Sequence, residues 1–84
     1  MQEHMSRIRV IMPKMGMTMT EGSVASWEKH DGDHVNEGEV IAMVETDKIT
    51  NSLESPATGI LNTTVEPGEE VPVAGRIGYI EVED

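Results

Sequence analysis

The sequence predicts a small all-β domain, a sandwich or flattened barrel made of two similar halves. Three observations predict it. Short runs rich in β-branched residues alternate at regular intervals with Gly, Pro and Asp turn signals. No segment carries a convincing helical period. A pattern in the first half also returns in the second. Gly32-x-x-Val35 recurs as Gly68-x-x-Val71, an offset of 36. At that offset Ile41 matches Ile77, Val44 matches Ile80 and Glu45 matches Glu81.

Ile8, Val10 and Met12 alternate with Arg7, Arg9 and Ile11 up to Pro13, which reads as a first strand. The Met-rich stretch 15–19 is too flexible to continue it. Residues 24–27 form a short apolar run after Gly22. A helix over 23–30 is the only helical alternative, weakened by Gly32 and by β-branched neighbours. Residues 40–44, Val-Ile-Ala-Met-Val, read as a strand buried on both faces or lying at an interface. Residues 50–54, 60–65 and 77–82 carry further strand signals. Breakers separate them at Asp31-Gly32-Asp33, Glu37-Gly38, Ser55-Pro56, Pro67-Gly68 and Ala74-Gly75. Each half is then a strand, a Gly turn, a short strand and a longer strand. Two such halves related by a pseudo-twofold axis would pair as two sheets. The tetrapeptide Thr46-Asp47-Lys48-Ile49 joins the halves, which puts the chain termini at the opposite pole.

Composition narrows the function. The 84 residues make one domain or part of one. With no cysteine there is no disulfide framework, thiolate metal site or cysteine nucleophile, and any redox sulfur must arrive on an attached group. A net charge of −10 argues against nucleic acid and anionic membrane as partners. No apolar run reaches membrane-span length and no signal-peptide pattern opens the chain. His4-Met5 resembles a cloning scar, so residues 1–4 read as vector-derived and 5–84 as the domain.

Lys48 is the residue to which the pattern points. It lies in a short turn between two strand-like runs, 39–45 and 50–54, so its amine is exposed and held in position. That suits a lysine modified by another enzyme better than one that catalyses. Thr46 and Asp47 both have side chains able to bond nearby backbone amides and shape the turn. Taken alone, a turn lysine is ordinarily a solvated surface residue. Met12, Met15, Met17 and Met19 have the softness to bind copper(I), although core packing for Met12 and an adaptable loop for the others is the simpler reading. His30, Asp31, Asp33 and His34 read as a hydrated acidic turn, and Trp27 as a core anchor. No pair of the 16 carboxylates is spaced for acid–base catalysis, and no catalytic residue is assigned.

The frame around Lys48 is specific. Met12-Pro13-Lys14-Met15-Gly16, Thr20-Glu21-Gly22, Gly32-Asp33-x-Val35-x-x-Gly38-Glu39, Val44-Glu45-Thr46-Asp47-Lys48 and Ser55-Pro56-x-x-Gly59 together resemble a lipoyl domain. Such domains belong to the acyltransferase (E2) component of 2-oxo acid and acetoin dehydrogenase complexes. The resemblance runs from about Ile8 to Val82. It implies an eight-stranded flattened barrel of two four-stranded sheets. It implies lipoate in amide linkage to Lys48, with Thr46, Asp47 and Ile49 as the turn context. The domain would then act as a swinging-arm carrier rather than an enzyme. The implied partners are a lipoate-attaching enzyme, the thiamine-dependent dehydrogenase (E1), the E2 catalytic domain and dihydrolipoyl dehydrogenase (E3). The implied location is the bacterial cytoplasm or the mitochondrial matrix. The loop of Met15, Met17 and Met19, with Glu21 after it, is implied in recognition by E1. Two departures from the family pattern are Ala74, in a glycine position, and Asn51-Ser52, in place of a more apolar pair. Two other readings stand beside this one: a biotin carrier of a carboxylase, which usually flanks its lysine with methionines, and an unmodified interaction domain.

Overall fold

The structure is a computed structural model that describes residues 5–83. The expectation that residues 1–4 are vector-derived lies outside the described residues. Eight strands follow in chain order: β1 (Met5–Ile11), β2 (Glu21–Trp27), β3 (His34–Val35), β4 (Val40–Glu45), β5 (Thr50–Glu54), β6 (Gly59–Thr63), β7 (Glu70–Pro72) and β8 (Arg76–Glu83). They form two four-stranded sheets, ordered β1-β8-β6-β3 and β5-β4-β2-β7, with every pairing antiparallel. The segment 23–30 is strand and turn rather than helix.

The internal echo is a real twofold relation. Exchanging β2 with β6, β3 with β7, β4 with β8 and β5 with β1 converts one sheet order into the other. Hydrogen bonds repeat at the same offset. Asp33 N donates to His30 O at 3.0 Å, and Glu69 N donates to Glu66 O at 3.1 Å. Glu39 N donates to Asn36 O as Gly75 N donates to Pro72 O. Gly32 and Gly68 take φ of 93° and 90°, and Gly38 is matched by Ala74, at 87° and 72°. Only these four described residues have positive φ, a region that glycine enters freely and a Cβ disfavours.

The burial of 40–44 has a mechanical cause. The register of β4 against β5 slips between Val40 and Ala42, a bulge that turns both Ile41 and Ala42 into the core. The twofold mate is a slip of β1 against β8, where Ile77 lies unpaired between Arg76 and Gly78 and is buried. Ile41, Ala42, Val44, Ile77 and Ile80 join Val10, Met12, Val24, Val35, Leu61 and Val71 in one core between the sheets. Burial at ~25 cal/mol per Å² of apolar surface is the main force holding so small a sandwich together. Trp27 packs against this cluster and donates its indole N–H to Val65 O at 3.2 Å. Ile8 departs from the alternation that grouped it with Val10 and Met12. It stays 40% exposed, because β1 is an edge strand with no neighbour on its outer side among the described strands.

Candidate functional site

Lys48 stands at the tip of the β4–β5 hairpin. Glu45 pairs with Thr50, and Thr46 N donates to Ile49 O at 2.8 Å, so the four residues Thr46-Asp47-Lys48-Ile49 close the turn. Neither central residue has positive φ, so the turn is not of the primed type usual in two-residue hairpins. Thr46 compensates. Its Oγ1 accepts from Lys48 N at 3.2 Å and from Ile49 N at 3.1 Å, holding both amides the turn would otherwise leave unpaired. Asp47 does not share this role: its carboxylate accepts no hydrogen bond from any described residue. The position is set by Thr46 and by strand pairing.

The amine itself is uncommitted. Lys48 is exposed and makes no ion pair or hydrogen bond through its side chain among the described residues. Lys29 differs: its Nζ lies 2.8 Å from Glu39 Oε2. The hydrogen bond and charge of Glu39 raise the Lys29 pKa, and the same bond lowers that of Glu39, helped by the Asn36 amide. Lys14 is exposed in the loop after β1.

A cleft of about 270 Å³ lies beside Lys48, lined by Gly16, Thr18, Met19, Thr20 and Glu21 on one side and by the four turn residues on the other. The turn after β7 holds both ends of the loop that forms this wall. Met12 N donates to Gly75 O, Ala74 N to Met12 O and Val73 N to Thr20 O, at 2.9, 2.9 and 3.0 Å. Within the loop Met15 N donates to Met19 Sδ at 3.1 Å. Gly22 makes room for Met19, since a Cβ there would meet Met19 Cε at 2.9 Å and Glu45 O at 3.0 Å. The loop is therefore less open than its sequence suggested. Met17 is 93% exposed, but Met15 and Met19 are half-buried and pack against the core. Of the three methionines read as an adaptable loop, Met17 alone is fully exposed. Apolar side chains next to a loop with few ladder bonds fold back onto the nearest core surface.

Carboxylates crowd the other side of the hairpin. A groove is lined by Glu21, Gly22, Ser23, Glu45, Thr46, Asp47 and Glu70. A hydrogen bond with Glu21, reinforced by its like charge, raises the pKa of Glu70. The acidic turn at His30 spends its carboxylates on backbone amides: Asp33 Oδ2 accepts from His30 N at 2.9 Å, and Asp31 Oδ1 from Thr63 N at 2.7 Å. Sequence reasoning missed Gly16, Thr18 and Thr20 as cleft residues and the 72–75 turn as their support. The match of Ala74 to Gly38 was the available signal.

The family described as biotin-requiring enzyme, whose profile covers biotin- and lipoyl-bearing domains, matches residues 8–80. The chain belongs to this biotin/lipoyl family. It is 44% identical over 78 residues to the dihydrolipoyllysine-residue acetyltransferase component of the acetoin cleaving system of Pseudomonas putida, covering 90% of this chain and 21% of that protein. It is 43% identical over 74 residues to the component of the same description in Bacillus subtilis, covering 87% and 19%. It is 46% identical over 78 residues to the dihydrolipoyllysine-residue acetyltransferase component of the pyruvate dehydrogenase complex of Rickettsia conorii, covering 90% and 19%. The chain thus spans about a fifth of the length of these relatives. The descriptions of these relatives name a lipoyllysine residue and not biotin.

Proposed function

We propose that this chain is the lipoyl carrier domain of a dihydrolipoyllysine-residue acyltransferase, with lipoate in amide linkage to Lys48. The observation that carries the proposal is the uncommitted, exposed amine at the tip of a hairpin whose shape Thr46 fixes. The residues fit the group: a free amine accepts the acyl bond, and the adjoining cleft leaves space at the root of a long arm. The relatives named as lipoyl-dependent acetyltransferase components support lipoate over biotin.

Amide formation at Lys48 Nζ removes the charge of that side chain and leaves a long tether. The group supplies a dithiolane whose disulfide can be opened, loaded with an acyl group and reoxidised. The domain contributes position. Strand pairing and Thr46 present Lys48 to an attaching enzyme in one geometry, and tethering raises the effective concentration of the carried group at each active site. The partners on this reading are the attaching enzyme, the thiamine-dependent dehydrogenase, the catalytic domain of the parent acyltransferase and dihydrolipoyl dehydrogenase, in the bacterial cytoplasm or the mitochondrial matrix. The exposed Met17, in the loop that walls the cleft, and Glu21 on that same wall are the surface proposed for recognition by the dehydrogenase.

Intact-mass measurement after incubation with lipoate ligase and lipoate tests the proposal. The wild type should gain one lipoyl group, and Lys48→Arg should gain none. Efficient biotinylation by a biotin ligase, with no lipoylation, would establish the carboxylase-carrier reading instead.

A further inference from the structure

The acidic chain has a cationic edge that the carrier role does not use. Arg7 and Arg9 lie on the outer face of β1, and Arg76, opposite Ile11, lies beside them on β8. These are all the arginines of the chain, and none has an ion-pair partner among the described residues. Arg7 sits 4.7 Å from the ring centre of Tyr79. The one described carboxylate among them, Glu81, is occupied by the Asn62 amide at 3.1 Å. The edge also carries apolar surface, with Ile8 40% and Ile11 42% exposed.

The fold does not require these residues. Twofold symmetry maps β1 onto β5, the edge of the other sheet, and Ile11 opposite Arg76 onto Glu54 opposite Val40. Thr50 and Ser52 then occupy the places of Arg7 and Arg9, and Asn51 that of Ile8. At these three places the β5 edge is polar and uncharged, with Glu54 beyond them, while the β1 edge reads Arg-Ile-Arg.

We propose that β1 is a docking edge for an extended acidic polypeptide segment, one that alternates carboxylate and apolar residues and adds to the sheet as a further strand. The chemistry selects that partner in three ways. Along residues 7–11 the outer side of β1 has no neighbouring strand among the described ones, so an added strand can pair there. Directly opposed residues on neighbouring strands bring their Cβ atoms within about 5 Å, so alternate carboxylates meet Arg7 and Arg9 while the residues between them meet Ile8. Guanidinium groups bind carboxylates as forks, and the same charges repel a basic strand. A uniform polyanion is disfavoured, because the chain carries a net charge of −10. The edge belongs to the sheet that does not contain the Lys48 hairpin, so docking leaves the modified amine accessible.

Titration of the isotopically labelled chain with acetyl-(Glu-Val)3-amide, followed by NMR in about 0.15 M salt, tests this. At that ionic strength the Debye length is about 8 Å, so distant carboxylates are screened and contact pairs are not. The expected result is saturable shifts along residues 6–11 and 76–82, with amide exchange slowed on β1. The double substitution Arg7→Glu with Arg9→Glu should weaken binding at least ~10-fold while the β4–β5 hairpin signals stay in place. The peptide acetyl-(Lys-Val)3-amide should leave β1 unshifted. Absence of binding by the acidic peptide would overturn the proposal and leave the arginines as guards against edge-to-edge pairing. Stronger binding of duplex DNA or of phosphatidylglycerol vesicles at the same residues would overturn it in favour of a polyanion.

Discussion

Lys48 differs from Lys29 in what its neighbours ask of it. Glu39 engages Lys29, while the residues around Lys48 spend their polar groups on the backbone of the turn. That difference was legible in the sequence only through the frame around Lys48, because the Lys29–Glu39 contact joins residues ten positions apart across a loop. The carboxylate pair on β2 and β7 was not legible at all, since Glu21 and Glu70 meet only through sheet pairing. Glu70 has a folded pKa above its ordinary value of 4.5. A raised folded value means that its contribution is present below the unfolded pKa and is lost as pH rises through the folded one. Glu70→Gln keeps hydrogen-bonding capacity and removes the titration. Thermal melts should therefore show the variant gaining stability relative to wild type near pH 7, with the gain vanishing below about pH 4. A pH-independent difference would remove the charge argument. Ala74 offers a second residue-scale test. Its φ of 72° is the glycine region without the glycine. Ala74→Gly relieves a left-handed strain of about 1–2 kcal/mol and restores some backbone freedom to the unfolded chain. The net expectation is a stabilisation of roughly 0.5–1 kcal/mol, read as a rise in melting temperature of a few degrees.

Among the elements, strands whose apolar residues alternate or cluster between breakers were legible, and the loop after β1 was only half so. Its methionines look alike in sequence. Their fates diverge because Gly22 opens a place for Met19, and the 72–75 turn anchors both ends of the loop. Such long-range support leaves no local signature. The functional consequence is that a triple serine substitution would mix recognition with packing. Met15→Ser and Met19→Ser should each cost about 1–2 kcal/mol, since each withdraws a half-buried side chain from the core. Met17→Ser should leave the melt unchanged. With fully lipoylated protein, Met17→Ser should slow reductive acylation by the cognate dehydrogenase, mainly through weaker binding. An unchanged rate would show that the partner reads another surface.

At the scale of the whole molecule, the 36-residue echo carried most of the architecture. It gave the two halves, the equivalence of the Gly32 and Gly68 turns and the placement of the lysine opposite the termini. Met5 pairs with Glu83 at one end, while the hairpin tip lies at the symmetry-related end of the other sheet. The bulges were not foreseen, because a slip of register depends on the partner strand. The twofold relation makes a matched prediction. A Cβ at Gly32 or Gly68 meets no atom within 4 Å, so Gly32→Val and Gly68→Val differ from wild type mainly by backbone strain. Each should destabilise by about 2 kcal/mol, and the two losses should agree. Unequal losses would break the symmetry argument. The central claim is that the hairpin's geometry, and not merely a lysine near this turn, makes the carrier site. Exchange of neighbours, Asp47→Lys with Lys48→Asp, tests it most directly. The amine moves one residue and composition and charge stay fixed, but the side chain leaves the turn in another direction. Peptide-mapping mass spectrometry after treatment with lipoate ligase should find Lys48 lipoylated in the wild type. In the exchanged chain it should find no lipoyl group at position 47, with the melt unchanged. Lipoylation of the displaced lysine at the wild-type rate would contradict the account.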